Sequence, residues 1–126
     1  MVKRNLMHYL KSALEKRQSV LLLGPRQTGK TTLLKELKPA LSITMTHSKD
    51  RRRYEVNPDL LIQEVEALPI KKTPLVIVDE IQKVPALLDA AQYLIDEKKA
   101  QFILTGSSAR KLRKQGEINL LPGRVI

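Results

Sequence analysis

The chain has no cysteine and no tryptophan, and only one phenylalanine and three tyrosines among its 126 residues. Without cysteine it can form neither a disulfide nor a thiolate metal site, which suits a reducing compartment. So few aromatic rings argue against a stacking platform for single-stranded bases. No apolar run reaches the roughly 20 residues of a membrane-spanning helix. The basic start Met1-Val2-Lys3-Arg4-Asn5 is not followed by the apolar stretch of a signal peptide. These absences predict a cytoplasmic protein with no membrane partner. Acidic residues are also in deficit. The 13 Asp and Glu face 23 Lys and Arg, for a formal net charge of +10. Such a balance attracts nucleic acid, anionic lipid or acidic protein surfaces. The basic residues are scattered, however, with local knots at Arg51-Arg52-Arg53, Lys71-Lys72, Lys98-Lys99 and Arg110 to Lys114. Most of this charge reads as solvated surface. The Arg51 triplet and the Arg110–Lys114 cluster are the candidate contacts to nucleic acid.

What the chain does have is Gly24-Pro25-Arg26-Gln27-Thr28-Gly29-Lys30-Thr31, the spacing of a phosphate-binding loop. Gly24 permits a sharp turn after a strand. A Cβ at Gly29 would collide with an anion approaching the backbone. The intervening N–H groups form a nest for phosphate oxygens. Lys30 supplies a point charge for the terminal phosphates, and the Thr31 hydroxyl can ligate magnesium. Thr32 continues the run. The context is the one the chemistry requires. Ser19 to Leu23 is a short apolar strand ending at Gly24, and Thr31 to Lys38 has the spacing of a helix stopped by Pro39.

Strand and helix patterns alternate along the remainder. Asn5 to Lys16 carries Leu6, Leu10, Ala13 and Leu14 on one helical face, giving an N-terminal helix within 1–17 that packs on a single domain spanning 1–126. His8 lies on this helix and reads as a surface histidine rather than a ligand or base. Leu41 to Met45 alternates like a strand, whereas the very basic stretch 47–55 reads as a loop or a partly ordered segment. Asn57-Pro58 opens a helix that runs to Leu68 and ends before Pro69. Leu75-Val76-Ile77-Val78 is apolar throughout, as a strand buried on both faces must be. A helix over Ala86 to Glu97, a strand over Phe102 to Leu104 and a short helix over Ser108 to Lys114 follow. This alternation predicts an α/β fold with a mostly parallel sheet and right-handed crossovers. Four strands are legible, and Val125-Ile126 would begin a fifth, so the chain reads as a fragment cut before that strand is complete and before any lid.

The apolar strand 75–78 runs into Asp79-Glu80. Asp79 is placed to hold magnesium alongside Thr31, and Glu80 to activate a water lined up on the terminal phosphate. Two adjacent carboxylates at a buried strand end are costly without a metal or hydrogen bonds. A solvent-facing acidic pair is the plainer alternative. Thr105 ends the next apolar strand, where ligands bind in open α/β sheets, and can hydrogen-bond the attacking water or the terminal phosphate. Ser107 is its substitute, and a simple turn the alternative. Arg124 and Arg26 are candidates to stabilise transition-state charge, or else surface cations.

Three segments together resemble one family. Residues 24–32, Val-Asp-Glu-Ile-Gln-Lys-Val-Pro at 78–85 and Leu-Thr-Gly-Ser-Ser at 104–108 are similar to the predicted AAA+ ATPases of bacteria and archaea, in which a phosphate-loop domain precedes a C-terminal domain of unknown function. Leu-Pro-Gly-Arg at 121–124 also resembles a turn of that family. The likeness spans nearly the whole chain. It implies a three-layer P-loop core that binds ATP and Mg2+. Lys30 and Thr31 match the phosphate and metal residues, Asp79 and Glu80 the metal-holding and water-activating pair, and Thr105 the sensing position. It also implies further chain beyond Ile126. Three functions are then open: an ATPase, a small-molecule P-loop kinase, or a non-hydrolysing nucleotide-binding module acting on nucleic acid or protein. No acceptor motif marks a kinase, and no Asn-Lys-x-Asp segment marks a GTPase.

Overall fold

A computed structural model describes residues 2–69, with the exception of 24–33, and residues 72–106 and 124–125. The order is α1 (Val2–Glu15), β1 (Val20–Leu23), β2 (Leu41–Thr44), α2 (Ser48–Val56), α3 (Leu60–Glu66), β3 (Leu75–Asp79), a 3-10 turn (Ile81–Lys83), α4 (Leu87–Asp96), β4 (Gln101–Gly106) and β5 (Arg124–Val125). The expected phosphate loop, Ser107 and the short helix read over 108–114 fall outside the described residues.

The five described strands pair in the order β2-β3-β4-β1-β5, and every pairing is parallel. Side chains alternate across this sheet and divide the core in two. Val76, Val78, Phe102, Leu104 and Leu21 face one way, into a cluster closed by Tyr54, Leu61, Val65, Leu87, Leu88, Ala91 and Leu94 of the helices. Ile77, Ile103, Val20 and Leu22 face the other way and meet Leu10 and Ala13 of α1 together with Leu34. The sheet is therefore covered by helices on both sides, the condition under which strands carry continuous apolar runs. α1 is further tied down where Gln101 Nε2 donates to the Leu14 carbonyl at 3.0 Å.

The basic stretch 47–55, expected to be a loop or a partly ordered segment, is corrected here: it forms α2. It lacks an apolar stripe, since Tyr54 is its one buried residue. Its Lys and Arg residues are good helix formers all the same. Arg53 pairs with Asp50 one turn back and with Glu64 of α3, and the Tyr54 hydroxyl donates to Glu64. Burial, then the Glu64 carboxylate, raise the Tyr54 hydroxyl well above its ordinary range. α3 starts at Leu60. The carbonyls of Asn57 and Pro58 accept the Leu60 and Leu61 amides.

Candidate active site

Because all strands run the same way, Leu23, Thr44, Asp79 and Gly106 end at one edge of the sheet. β4 lies between β1 and β3, so the strand that leads into the 24–31 motif is not adjacent to the strand that ends in carboxylates. Thr105 occupies the place between them. It pairs with Leu22 on one side, and on the other it stands one step past the Val78–Leu104 pair, level with Asp79. Thr44 is level with Asp79 from the opposite flank.

These three side chains are bonded in a row. The Thr44 hydroxyl lies 3.1 Å from Asp79 Oδ2, and the Thr105 hydroxyl donates to Asp79 Oδ1. The Glu80 amide donates to Thr105 Oγ1 at 3.2 Å. Thr105 thus touches both members of the acidic pair, although it is 1% exposed. Asp79 has the same strand parity as Ile77 and, with Thr44, Thr46, His47, Leu34 and Lys35, lines a cleft of about 400 Å³. That volume is within the range of small-ligand sites. The chain leaves the carboxyl edge at Leu23 and re-enters the described structure at Leu34, in the core cluster on this same side.

Glu80 differs from its neighbour. It is 6% exposed, and its backbone is left-handed, φ 56° and ψ 47°. A non-glycine residue there costs on the order of 1–3 kcal/mol, and such strain gathers at functional positions. Its carboxylate accepts from Gln82 Nε2 at 2.6 Å. Gln82 is itself buried in the 3-10 turn. The acidic pair is therefore not a solvent-facing patch. Sequence reading missed Gln82 and Thr44. Gln82 stands in the quoted 78–85 segment but carried no role there, and Thr44 shows its part only once β2 is paired to β3.

The other expected site residues are placed unevenly. Gly24, Pro25, Arg26, Gln27, Thr28, Gly29, Lys30, Thr31 and Thr32 lie outside the described residues. Arg124 is in β5, level with Val20 of β1, which puts its backbone away from the carboxyl edge where Asp79 sits. His8 is on the exposed side of α1.

The donor set suits magnesium. Asp79 and Glu80 offer hard carboxylate oxygens, and among the described residues no group of three or more His, Cys, Asp or Glu could form an all-protein metal cage. Magnesium does not need one. It is held by one or two carboxylates, water and substrate phosphates. No described helix is long and apolar enough to cross a membrane.

Comparison with known proteins agrees with this architecture. Proteins of Mycobacterium bovis and Mycobacterium tuberculosis, both uncharacterized, are each 31% identical over 108 residues, covering 82% of this chain and 23% of theirs. The chain thus spans about a quarter of the length of these curated relatives. A solved structure of PCH-2 from C. elegans superimposes with a TM-score of 0.55 over 98% of this chain and 41% of that one, at 19% identity, a likeness of fold. The sequence profile of the AAA domain family matches residues 16–126. With a parallel sheet that brings the strand leading to residues 24–31 and an acidic strand tip to one edge, the chain has a P-loop NTPase-like fold and belongs to the AAA domain family.

Proposed function

We propose that this chain binds ATP with magnesium at the carboxyl edge of the sheet and hydrolyses it. The observation that carries the reading is the Asp79–Thr105–Glu80 cluster, standing one strand away from β1. In this reading the backbone of 24–31 cradles the phosphates, Lys30 neutralises them, and Thr31 with Asp79 holds the ion. Magnesium would supply charge neutralisation on the phosphate oxygens. Glu80 activates water, and for that its carboxylate must turn from Gln82 toward the cleft. Arg26 and Arg124 are the candidate cations for transition-state charge, with Arg26 favoured because Arg124 is level with Val20 rather than with the strand tips.

Binding of labelled ATP tests the first half. Lys30→Ala should abolish it, and unchanged affinity would count against a phosphate-loop site. Glu80→Gln should leave binding within a few-fold and lower hydrolysis by about 10²–10⁴, the usual contribution of a positioned base. Full activity in that variant would remove Glu80 from the role. Competition between ATP and GTP in the same titration reports which base the site prefers.

A second reading, a nucleotide-binding module that acts on nucleic acid, is favoured by one surface. α2 begins directly after the carboxyl edge, next to His47 of the cleft. Among the described residues, Arg53 takes up Asp50 and Glu64, while Lys49, Arg51 and Arg52 enter no ion pair. The two readings are compatible, since ATP-driven devices act on partners.

A further inference from the structure

A hydroxyl has one proton to give, and its other contacts decide where that proton goes. Thr44 Oγ1 lies 3.2 Å from the Thr46 amide, 2.9 Å from Thr46 Oγ1 and 3.1 Å from Asp79 Oδ2. The amide only donates, and an ionised carboxylate only accepts. The Thr44 proton has two acceptors in reach, Thr46 Oγ1 and Asp79 Oδ2, and only the carboxylate has no proton to give back. Both contacts are satisfied when Thr44 donates to Asp79 and the Thr46 hydroxyl donates to Thr44. The other flank is built alike. Thr105 Oγ1 accepts the Glu80 amide at 3.2 Å and donates to Asp79 Oδ1. Each oxygen of Asp79 thus receives a hydroxyl from a different neighbouring strand. The amide on each hydroxyl takes up an acceptor position and favours the orientation in which the proton faces the carboxylate. Thr44 comes from β2, the edge of the sheet, and is not part of the phosphate-loop or acidic motifs.

We propose that Thr44 is a positioning residue for the magnesium-holding carboxylate: opposite Thr105, it fixes the plane in which Asp79 presents its remaining lone pairs. The proposal rests on the ATP-and-magnesium reading above. Magnesium demands near-ideal octahedral geometry, and partners that orient a ligating group typically alter metal affinity by about 10–100-fold. The cross-strand clasp supplies that orientation from a strand outside both sequence motifs.

The experiment is a titration of a fluorescent ATP analogue into the whole chain, in EDTA and across a magnesium series. Wild type, Thr44→Val, Thr44→Ser and Ser42→Val are compared. Ser42 lines the same cleft two residues earlier and is level with Ile77 rather than Asp79, so it reports any general disturbance of the edge strand. In EDTA, Thr44→Val should bind within about twofold of wild type. The magnesium concentration giving half-maximal enhancement should rise about tenfold. Thr44→Ser, which keeps the hydroxyl, should return it to within about threefold of wild type, and Ser42→Val should match wild type. If Thr44→Val is too unstable to assay, Thr44→Ala removes the same hydroxyl and is read in its place. An unshifted magnesium response in the hydroxyl-free variant, or an equal shift in Ser42→Val, overturns the role of Thr44 while leaving the ATP site standing. Wild type that binds no nucleotide, or binds it without regard to magnesium, overturns the ATP reading, and the role of Thr44 falls with it.

Discussion

Gln82 and Glu80 form the contact at the candidate site in which a buried carboxylate meets a buried side-chain amide. The Gln82 side-chain N–H donates at 2.6 Å to a carboxylate on a residue that is only 6% exposed. Taking away a donor to a buried charged acceptor leaves part of its desolvation uncompensated, at about 1–3 kcal/mol. Gln82→Ala should therefore lower unfolding stability by about that amount in a urea titration. Combined with Glu80→Gln, which removes the charge, the same substitution should cost measurably less, because the two residues interact directly. Additive costs would mean that the hydrogen bond contributes little. At this scale the sequence was a partial guide. Asp79-Glu80 stands out after an apolar strand, and the structure adds what residue order cannot express. Glu80 takes a left-handed backbone conformation, which moves its side chain out of strand alternation, and Gln82 lies in a turn with no periodic pattern to announce it.

At the scale of elements, regular apolar runs were legible and contacts between elements were not. β3 and α4 follow from continuous apolar residues and from an i, i+3, i+4 stripe. α2 does not, because its helix is secured by one tyrosine and by charges supplied from α3. Tyr54 is the test of that account. Its hydroxyl is buried against Glu64, so the folded state keeps the proton to a higher pH than the unfolded chain does. The unfolded state then binds fewer protons once pH passes about 10, and stability must fall as pH rises through that region. The slope is about 1.4 kcal/mol per pH unit from this one group. Below about pH 10 the contribution is fully present. Tyr54→Phe should cost about 1 kcal/mol near neutral pH, and its stability should decline less steeply than wild type above about pH 10. Lysines that titrate in the same range cancel in the comparison. Parallel curves for the two proteins would show that Tyr54 does not hold its proton against solvent.

Over the whole molecule, strand order was the part that residue order concealed. The insertion of β4 between β1 and β3 makes Thr105 the link between β1 and the carboxylates, and no local pattern encodes it. Net charge is the opposite case, fully readable and spread along the whole chain. A formal charge of +10 will hold any polyanion at low salt, so weak binding alone says nothing about α2. Salt dependence separates the general field from a local contact. Each phosphate neutralised on duplex DNA contributes about 0.9 to the slope of log K against log salt. Lys49 and Arg52 are exposed on α2 and share a hollow with Ser48, Arg53, Val56 and Leu60. Lys11 and Lys98 are also exposed but lie on α1 and just after α4. Replacing Lys49 and Arg52 by Gln should reduce the slope by nearly 2, measured by fluorescence anisotropy on a short duplex between about 50 and 200 mM salt. Replacing Lys11 and Lys98 by Gln removes the same net charge and should weaken binding slightly with little change in slope. Equal slopes for the two double variants would assign the attraction to the molecule's overall field and remove α2 as a nucleic-acid contact.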